Sequence, residues 1–166
     1  MTGLRLDKRT DAPRSILCLG AHADDIEIGC GGTLLKLIDD YTDVGVHWVV
    51  FSASPRRKKE ALESADRFLD KADRKKVDVL SFQDGYFPFE GSAIKERVQE
   101  LSRRDSPDLV FTHHRNDRHQ DHRLVSELTW YVLVNAAAAR DRMPTPVRGS
   151  VPRPESLVSV EMEDTF

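Results

Sequence analysis

The chain has 166 residues, of which 39% are hydrophobic and 32% are charged, as is typical of a soluble globular domain with a sizeable core. Its formal net charge of −3 argues against a nucleic-acid binder, which is usually basic, and no apolar stretch is long enough to span a membrane. Because the chain has only two cysteines and starts without a secretory signal, we expect a protein of the reducing cytoplasm.

Strand and helix patterns alternate along the chain. We expect buried strands where apolar residues run continuously and helices where they recur at helical spacing. Strands are predicted at 16–20, 46–51, 77–82 and 108–112, helices at 33–40, 54–70, 92–104 and 121–135, and a glycine-rich loop at 21–32. This order predicts an α/β fold, with a three-layer, mostly parallel, Rossmann-like sheet and helices on both faces.

The two ends of the chain depart from this pattern. Residues 1–14 are polar and are predicted to form a flexible arm, whereas 15–135 carry the repeating strands and helices. After Asn135 come four alanines and then four prolines, which cannot continue a helix. We therefore expect an Ala/Pro-rich, poorly ordered tail at 136–166, in which 157–160 could pair only as an edge strand.

Two clusters of imidazole and carboxylate groups follow predicted strands. His22–Asp25 comes directly after the first strand, and His119–His122 comes shortly after the fourth. Ligands of parallel sheets bind at the carboxyl ends of the strands. The sequence therefore predicts that the two clusters meet at one edge of the sheet, although either cluster alone could be a polar turn with a helix-capping aspartate.

The first chemistry that these residue types favour is metal binding. A catalytic zinc ion takes three protein ligands and leaves one position open for water, whose pKa it lowers to about 7. His22, Asp25 and His122 can supply the three ligands. A site with two histidines and one carboxylate also suits Fe²⁺ or another divalent ion.

The second chemistry is proton transfer. Asp24 stands beside the proposed ligands without being one of them, as a general base requires. His119 can protonate a leaving amine or stabilise an oxyanion, and Asp121 can orient one of the imidazoles.

Four further residues are interpreted as lying outside this site. Those in the loop before the second cluster could compete as ligands but are interpreted as rim residues, and the fourth, inside the second strand, is interpreted as structural. They are His113, His114 and Asp117 in the loop, and His47 in the strand.

At these residues the chain resembles the PIG-L/LmbE-like family of zinc-dependent N-deacetylases. The family patterns Ala-His-Pro-Asp-Asp and His-Pro-Asp-His correspond here to Ala21–Asp25 and His119–His122. Both prolines are replaced, by Ala23 and Gln120, and neither position is a ligand. The glycine-rich segment Glu27–Leu34 matches the family's helix entry.

The resemblance covers about residues 16–130 and implies a role for each matching residue. It implies His22, Asp25 and His122 as zinc ligands, Asp24 as general base, His119 as acid or oxyanion stabiliser with Asp121 as its supporting carboxylate, and Arg57 and Asp84 as substrate contacts.

The activity implied by the resemblance is zinc-dependent removal of an N-acetyl group from an N-acetylglucosamine-type sugar or sugar conjugate. The partner is then a small molecule, and the oligomeric state stays open. Because family members usually continue for several elements after the second motif, the alternative is a truncated, weakly active or inactive member that binds metal or sugar without turnover. A zinc hydrolase of a small non-sugar amide is a further alternative.

Overall fold

The computed structural model describes residues 15–105, 107–134 and 158–162. The predicted arm at 1–14 and most of the predicted tail at 136–166 lie outside these residues. No helix within the described ranges is both long enough and apolar enough to cross a membrane.

The described residues form one parallel sheet with connecting helices, which confirms the predicted α/β fold. The strands are β1 (Ser15–Gly20), β2 (Gly45–Val50), β3 (Arg74–Val79), β4 (Leu109–His113) and β5 (Val158–Met162), in the order β3-β2-β1-β4-β5. The helices are α1 (Asp25–Asp40), α2 (Pro55–Phe68), α3 (Gly91–Asp105) and α4 (Gln120–Thr129), with a 3₁₀ turn at Phe87–Phe89 and a π-helical turn at Trp130–Val134.

Helices cover both faces of the sheet, as predicted. Successive side chains of a strand point to opposite faces. On β1, Ile16 and Cys18 pack in one core with residues of α1 and α2, whereas Leu17 and Leu19 pack in a second core with residues of α3 and α4. Burial on both faces explains why the strand is an uninterrupted apolar run.

The sheet topology creates a crevice between β1 and β4. The chain moves outward from β1 to β3 and then returns to the other side of β1, so the strand order reverses between these two neighbours. Cys18 pairs with Phe111 in the parallel register, so Gly20 and His113 end at the same edge. This switch point is where open α/β sheets bind ligands.

The glycine-rich segment predicted as a loop at 21–32 is mostly helix, because α1 starts within it. The glycines serve close packing. A Cβ added to Gly29 would lie 2.7 Å from the Cβ of Met162, and one added to Gly31 would lie 2.7 Å from the ring of Phe68. These neighbours come from β5 and α2, which are distant in sequence.

The third strand is displaced from its prediction, since 77–82 was expected and β3 runs from Arg74 to Val79. Its first half consists of exposed basic residues, which an edge strand tolerates. Beyond it, the N–H groups of Leu80 and Phe82 still donate to the carbonyl groups of Val50 and Phe51.

The last strand lies within the predicted tail. β5 pairs in parallel with β4 at the sheet edge, in line with the expected edge pairing around 157–160, and Met162 is buried. The tail prediction for 136–157 falls outside the described residues.

His47 is structural, as predicted. It is buried within β2, and its two ring nitrogens lie 2.6 Å from Asp105 Oδ2 and 3.0 Å from Asp78 Oδ2. The imidazole thus links β2 to β3 and to the end of α3.

Candidate active site

Both sequence clusters lie at the switch point, each at the start of a helix. Asp24 is the residue before α1 and makes no side-chain cap bond, so its carboxylate points elsewhere. The backbone N–H of His22 donates to Asp25 Oδ2 at 2.7 Å, which closes the turn between β1 and α1. His119 caps α4, where its Nδ1 accepts the N–H of Asp121.

Three donor atoms of the predicted ligand set converge on one point. His22 Nδ1 lies 3.1 Å from His122 Nε2 and 3.6 Å from Asp25 Oδ2, and His122 Nε2 lies 3.4 Å from Asp25 Oδ2. Ligands bound about 2.1 Å from a tetrahedral zinc ion lie about 3.4 Å apart. The spacing of these three atoms therefore fits a single zinc ion.

Asp117 determines which nitrogen of His122 faces this point. Its Oδ2 lies 3.0 Å from His122 Nδ1, and a carboxylate can only accept, so Nδ1 carries the proton and Nε2 presents its lone pair. Burial alone would raise the pKa of Asp117, but the N–H of His119 and the imidazole of His122 outweigh burial and lower it. An ionised carboxylate behind a metal-binding histidine fixes the tautomer of the ring.

The far side of His22 also faces carboxylates. Its Nε2 lies 3.0 Å from Asp84 Oδ1 and 3.4 Å from Asp121 Oδ2, within ion-pair distance but without hydrogen-bond geometry, while Nδ1 faces the other donor atoms. Burial alone would lower the pKa of His22. The surrounding carboxylates, Asp25 foremost, outweigh burial and raise the pKa to about 9.

Asp25 is ionised across the physiological pH range. It is buried, and burial alone would raise the pKa of its carboxyl group. The imidazoles packed around it, with His113 and His22 first, hold that pKa far below its usual range. A carboxylate kept ionised in a buried position is ready to bind a cation.

Sequence reasoning placed His113 and Asp117 on the rim, whereas the structure places both inside the site. His113 is 1% exposed and its ring stacks on that of His122 with centroids 3.9 Å apart. β4 continues past its apolar run through Thr112 to His113, with every residue buried, so the position of His113 directly after the predicted strand is the signal that could have marked it as buried. The pairing of Asp117 with His122, five residues apart, has no comparable signal.

Other groupings of donor atoms also lie close enough together to hold a metal ion. Within the described residues these are His22, His119 and His122; Asp25, His113 and His122; and His22, Asp84, His119 and Asp121. His113 Nε2 already has two polar neighbours, the backbone N of Ala21 at 2.9 Å and Asp25 Oδ2 at 3.2 Å. His119 accepts at Nδ1 and so carries its proton on Nε2, which makes it a donor.

Asp24 and Arg57 form an ion pair at the mouth of the site. Arg57 Nη2 lies 2.7 Å from Asp24 Oδ2, and Nη1 lies 3.3 Å from Glu60. Both side chains of the pair are about half exposed, 53% for Asp24 and 46% for Arg57. The predicted base therefore pairs with Arg57 and belongs to none of the donor groups that could hold a metal ion within the described residues.

Asp121 contacts a different partner from the one implied by the resemblance. Its carboxylate accepts the N–H groups of Gly85 and Phe87 at 2.6 and 3.2 Å and lies near His22, while its link to His119 runs through the backbone alone. Asp121 thus joins the start of α4 to the loop that carries Asp84.

Comparison with known proteins agrees with this architecture. The family model described as PIG-L: GlcNAc-PI de-N-acetylase matches residues 17–133. N,N'-diacetylchitobiose deacetylase from Pyrococcus horikoshii is 25% identical, with a TM-score of 0.61 over 83% of this chain and 54% of that one. The conserved protein TT1542 from Thermus thermophilus is 27% identical, with a TM-score of 0.56 over 91% and 67% of the two chains.

The fold also occurs with a different chemistry. The 4-carboxy-2-hydroxymuconate hydratase GalB from Pseudomonas putida is 20% identical, with a TM-score of 0.57 over 75% of this chain and 55% of that one. Such similarity shows the fold alone. The present chain spans about half the length of the diacetylchitobiose deacetylase. Since the family match covers well over half of the chain and includes both sequence clusters, the chain belongs to the PIG-L family.

Proposed function

We propose that the protein is a zinc-dependent hydrolase that removes the N-acetyl group from an N-acetylglucosamine-type sugar or sugar conjugate. The observation that carries this proposal is the convergence of His22 Nδ1, Asp25 Oδ2 and His122 Nε2 within 3.6 Å of one another. Membership of the PIG-L family and similarity to a diacetylchitobiose deacetylase support the substrate class.

Metal and protons have separate sites in this proposal. The three donor atoms would hold a zinc ion, which would supply Lewis acidity and make a hydroxide-like nucleophile available at neutral pH. Asp24 accepts the proton of the attacking water as general base. Its ion pair with Arg57, at 2.7 Å, fixes the position of the carboxylate.

His119 acts on the other side of the substrate. Because its Nδ1 accepts a backbone N–H, Nε2 carries a proton that can be donated to the carbonyl oxygen as negative charge develops there. When the C–N bond breaks, a proton from His119 or Asp24 passes to the departing amine, so the products are acetate and a free amino sugar.

Arg57 and Asp84 are proposed to bind sugar hydroxyl groups. Asp84 is 73% exposed yet lies 3.0 Å from His22, so a substrate bound at the site meets its carboxylate. Arg57 donates to the carboxylate of Asp24, the proposed base, at 2.7 Å. Both residues can exchange their present partners for hydroxyl groups at little cost because both are solvent-accessible.

The test is release of acetate and free amine from N-acetylglucosamine and its β-1,4-linked disaccharide by zinc-loaded protein. Loss of a general base lowers turnover by about 100-fold or more, so Asp24→Asn should retain zinc and lose activity. Asp43→Asn is the matched control, since Asp43 is an exposed aspartate that pairs with an arginine, Arg74, outside the site. Full turnover by zinc-loaded Asp24→Asn would show that the base is another group.

The alternative is a family member that binds metal or sugar without turnover. The same experiment separates the two proposals, because zinc binding by the parent protein with no release of acetate from any N-acetylated sugar favours the alternative. Release of acetate from small non-sugar amides, but not from sugars, would instead assign a different substrate class.

A further inference from the structure

The loop between β3 and α3 carries an exposed aromatic pair. Of its three aromatic side chains, Phe87 is fully buried, whereas Tyr86 is 50% exposed and Phe89 is 82% exposed. Phe89 is the most exposed large hydrophobic side chain among the described residues. The rings of Tyr86 and Phe89 lie with centroids 6.0 Å apart and are tilted by 51°, so together they form an angled, exposed apolar patch.

This loop is fixed rather than loosely attached. The buried carboxylate of Asp121 accepts the N–H groups of Gly85 and Phe87, and Gln120 donates its side-chain N–H to the carbonyl of Gly85. The N–H of Gln83 donates to the Glu90 carboxylate at 3.0 Å. The aromatic pair therefore has a defined position before any ligand binds.

Neighbouring residues of the same loop contact the candidate active site. Phe87 packs against His22 with ring centroids 5.9 Å apart, and Asp84 lies 3.0 Å from the same imidazole. Tyr86 stands between these two residues in the chain. Phe89 follows within a 3₁₀ turn that rises only about 2 Å per residue.

We infer that Tyr86 and Phe89 form a subsite that stacks on a second ring of the substrate, attached to the N-acetylated sugar. This inference rests on the proposed function. A pyranose face of C–H bonds and an aryl group both present a flat apolar ring, which matches the exposed aromatic surfaces. Because carboxylates stand at both ends of the loop, at Asp84 and Glu90, the ring is neutral rather than anionic.

The subsite gives the protein a preference for two-ring ligands over the free monosaccharide. Covering an aromatic side chain of this exposure strengthens binding by about tenfold. The single N-acetylated ring at the metal-binding atoms does not need these side chains. The two ligand classes therefore respond differently to the loss of one aromatic ring.

The experiment is calorimetric titration of zinc-loaded protein with N-acetylglucosamine, its β-1,4-linked disaccharide and its phenyl β-glycoside. Every sample carries Asp24→Asn, so that no ligand is consumed. Phe89→Ala should weaken binding of a two-ring ligand about tenfold and leave the monosaccharide unchanged, while Phe89→Tyr should restore the preference. Tyr131→Ala is the matched control, since Tyr131 is an exposed aromatic residue that contacts Lys95 instead.

If Phe89→Ala loses affinity for the disaccharide alone, the subsite binds a sugar ring. If it loses affinity for the phenyl glycoside alone, the subsite binds an aryl group. Equal weakening of all three ligands, or no weakening of any, would overturn the inference. The deacetylase proposal is judged separately by acetate release from the parent protein. If the parent protein releases acetate but Phe89→Ala does not weaken binding of the two-ring ligands, only the subsite inference is overturned. If Phe89→Ala weakens binding of the two-ring ligands but the parent protein releases no acetate, the subsite inference stands and the deacetylase proposal does not.

Discussion

Replacement of Asp117 by asparagine tests how the site presents its metal-binding nitrogen. Both contacts of this side chain are donors, because the N–H of His119 lies 2.7 Å from Oδ1 and His122 Nδ1 lies 3.0 Å from Oδ2. A carboxylate satisfies both donors, whereas an amide has one oxygen and one NH₂ group. If the oxygen stays with His119, His122 must accept at Nδ1 and carry its proton on Nε2, where the metal binds.

The expected cost follows from this tautomer change. Loss of a carboxylate behind a metal-binding histidine weakens metal affinity by about 10- to 100-fold, equivalent to about 1.4 to 2.8 kcal/mol. The assay is zinc competition against a chromogenic chelator at pH 7. The matched control is Asp73→Asn, because Asp73 is an aspartate that accepts a backbone N–H, from Val44, away from the site.

Two results would refute this reasoning. If Asp117→Asn binds zinc as tightly as the parent protein, the tautomer of His122 does not depend on Asp117. If Asp117→Asn weakens zinc binding only because the metal-free protein is less stable, its thermal unfolding temperature without metal should fall well below that of Asp73→Asn. If the tautomer of His122 is the cause, the free energy of zinc binding to Asp117→Asn should fall by more than the stability of its metal-free form.

Three other predictions concern protons and packing. Zinc binding at pH 7 should release about one proton, because the pKa of His22 is raised to about 9; calorimetry in buffers of different ionisation enthalpy measures this number, and a value of zero would contradict it. Despite its partial burial, the cations around Asp78 lower the pKa of its carboxyl group, so ionisation of Asp78 stabilises the fold above about pH 4 and this contribution is lost as the pH falls through the lowered pKa. Asp78→Asn should therefore lower the free energy of unfolding at pH 7 by about 1 kcal/mol or less, and by less still at pH 3; a urea series in which the difference grows on acidification would contradict this. Gly29→Ala should destabilise the protein by about 1 to 3 kcal/mol, since its new methyl group meets the Cβ of Met162 at 2.7 Å, whereas Gly32→Ala, with open space around it, should stabilise the helix by about 0.5 to 1 kcal/mol; equal effects of the two substitutions would refute the packing argument.

The α/β alternation was predictable because each element repeats one physical pattern. A strand that is buried on both faces, such as β1, needs an apolar side chain at every position. The continuous apolar run 16–20 fits such a strand better than it fits any other element. The edge strand β3 does not need an apolar side chain at every position. Its start at Arg74 could not be predicted, because a run of basic residues does not indicate a buried strand. The glycines before Thr33 indicate a loop by local pattern alone, since their contacts with Phe68 and Met162 come from distant parts of the chain.

The positions of the candidate site were predictable, but its hydrogen bonds were not. Motif spacing and strand ends placed the two clusters at one edge of the sheet, where they meet. The side chain of Asp121 accepts the N–H of Gly85, which lies 36 residues earlier in the chain, and no local pattern connects the two. Contacts of this kind depend on how α4 packs against the 3₁₀ turn.

Their polar neighbours give four adjacent imidazoles different roles. Nδ1 of His122 donates to Asp117 and Nε2 of His22 faces carboxylates, so each of these rings directs its other nitrogen toward Asp25. Nε2 of His113 lies between the backbone N–H of Ala21 and the Asp25 carboxylate, and its ring stacks on that of His122. Nδ1 of His119 accepts a backbone N–H, which leaves that ring with a proton to donate. A count of histidines would predict a four-nitrogen metal site, whereas these partners favour two nitrogen ligands, one proton donor and one packing ring.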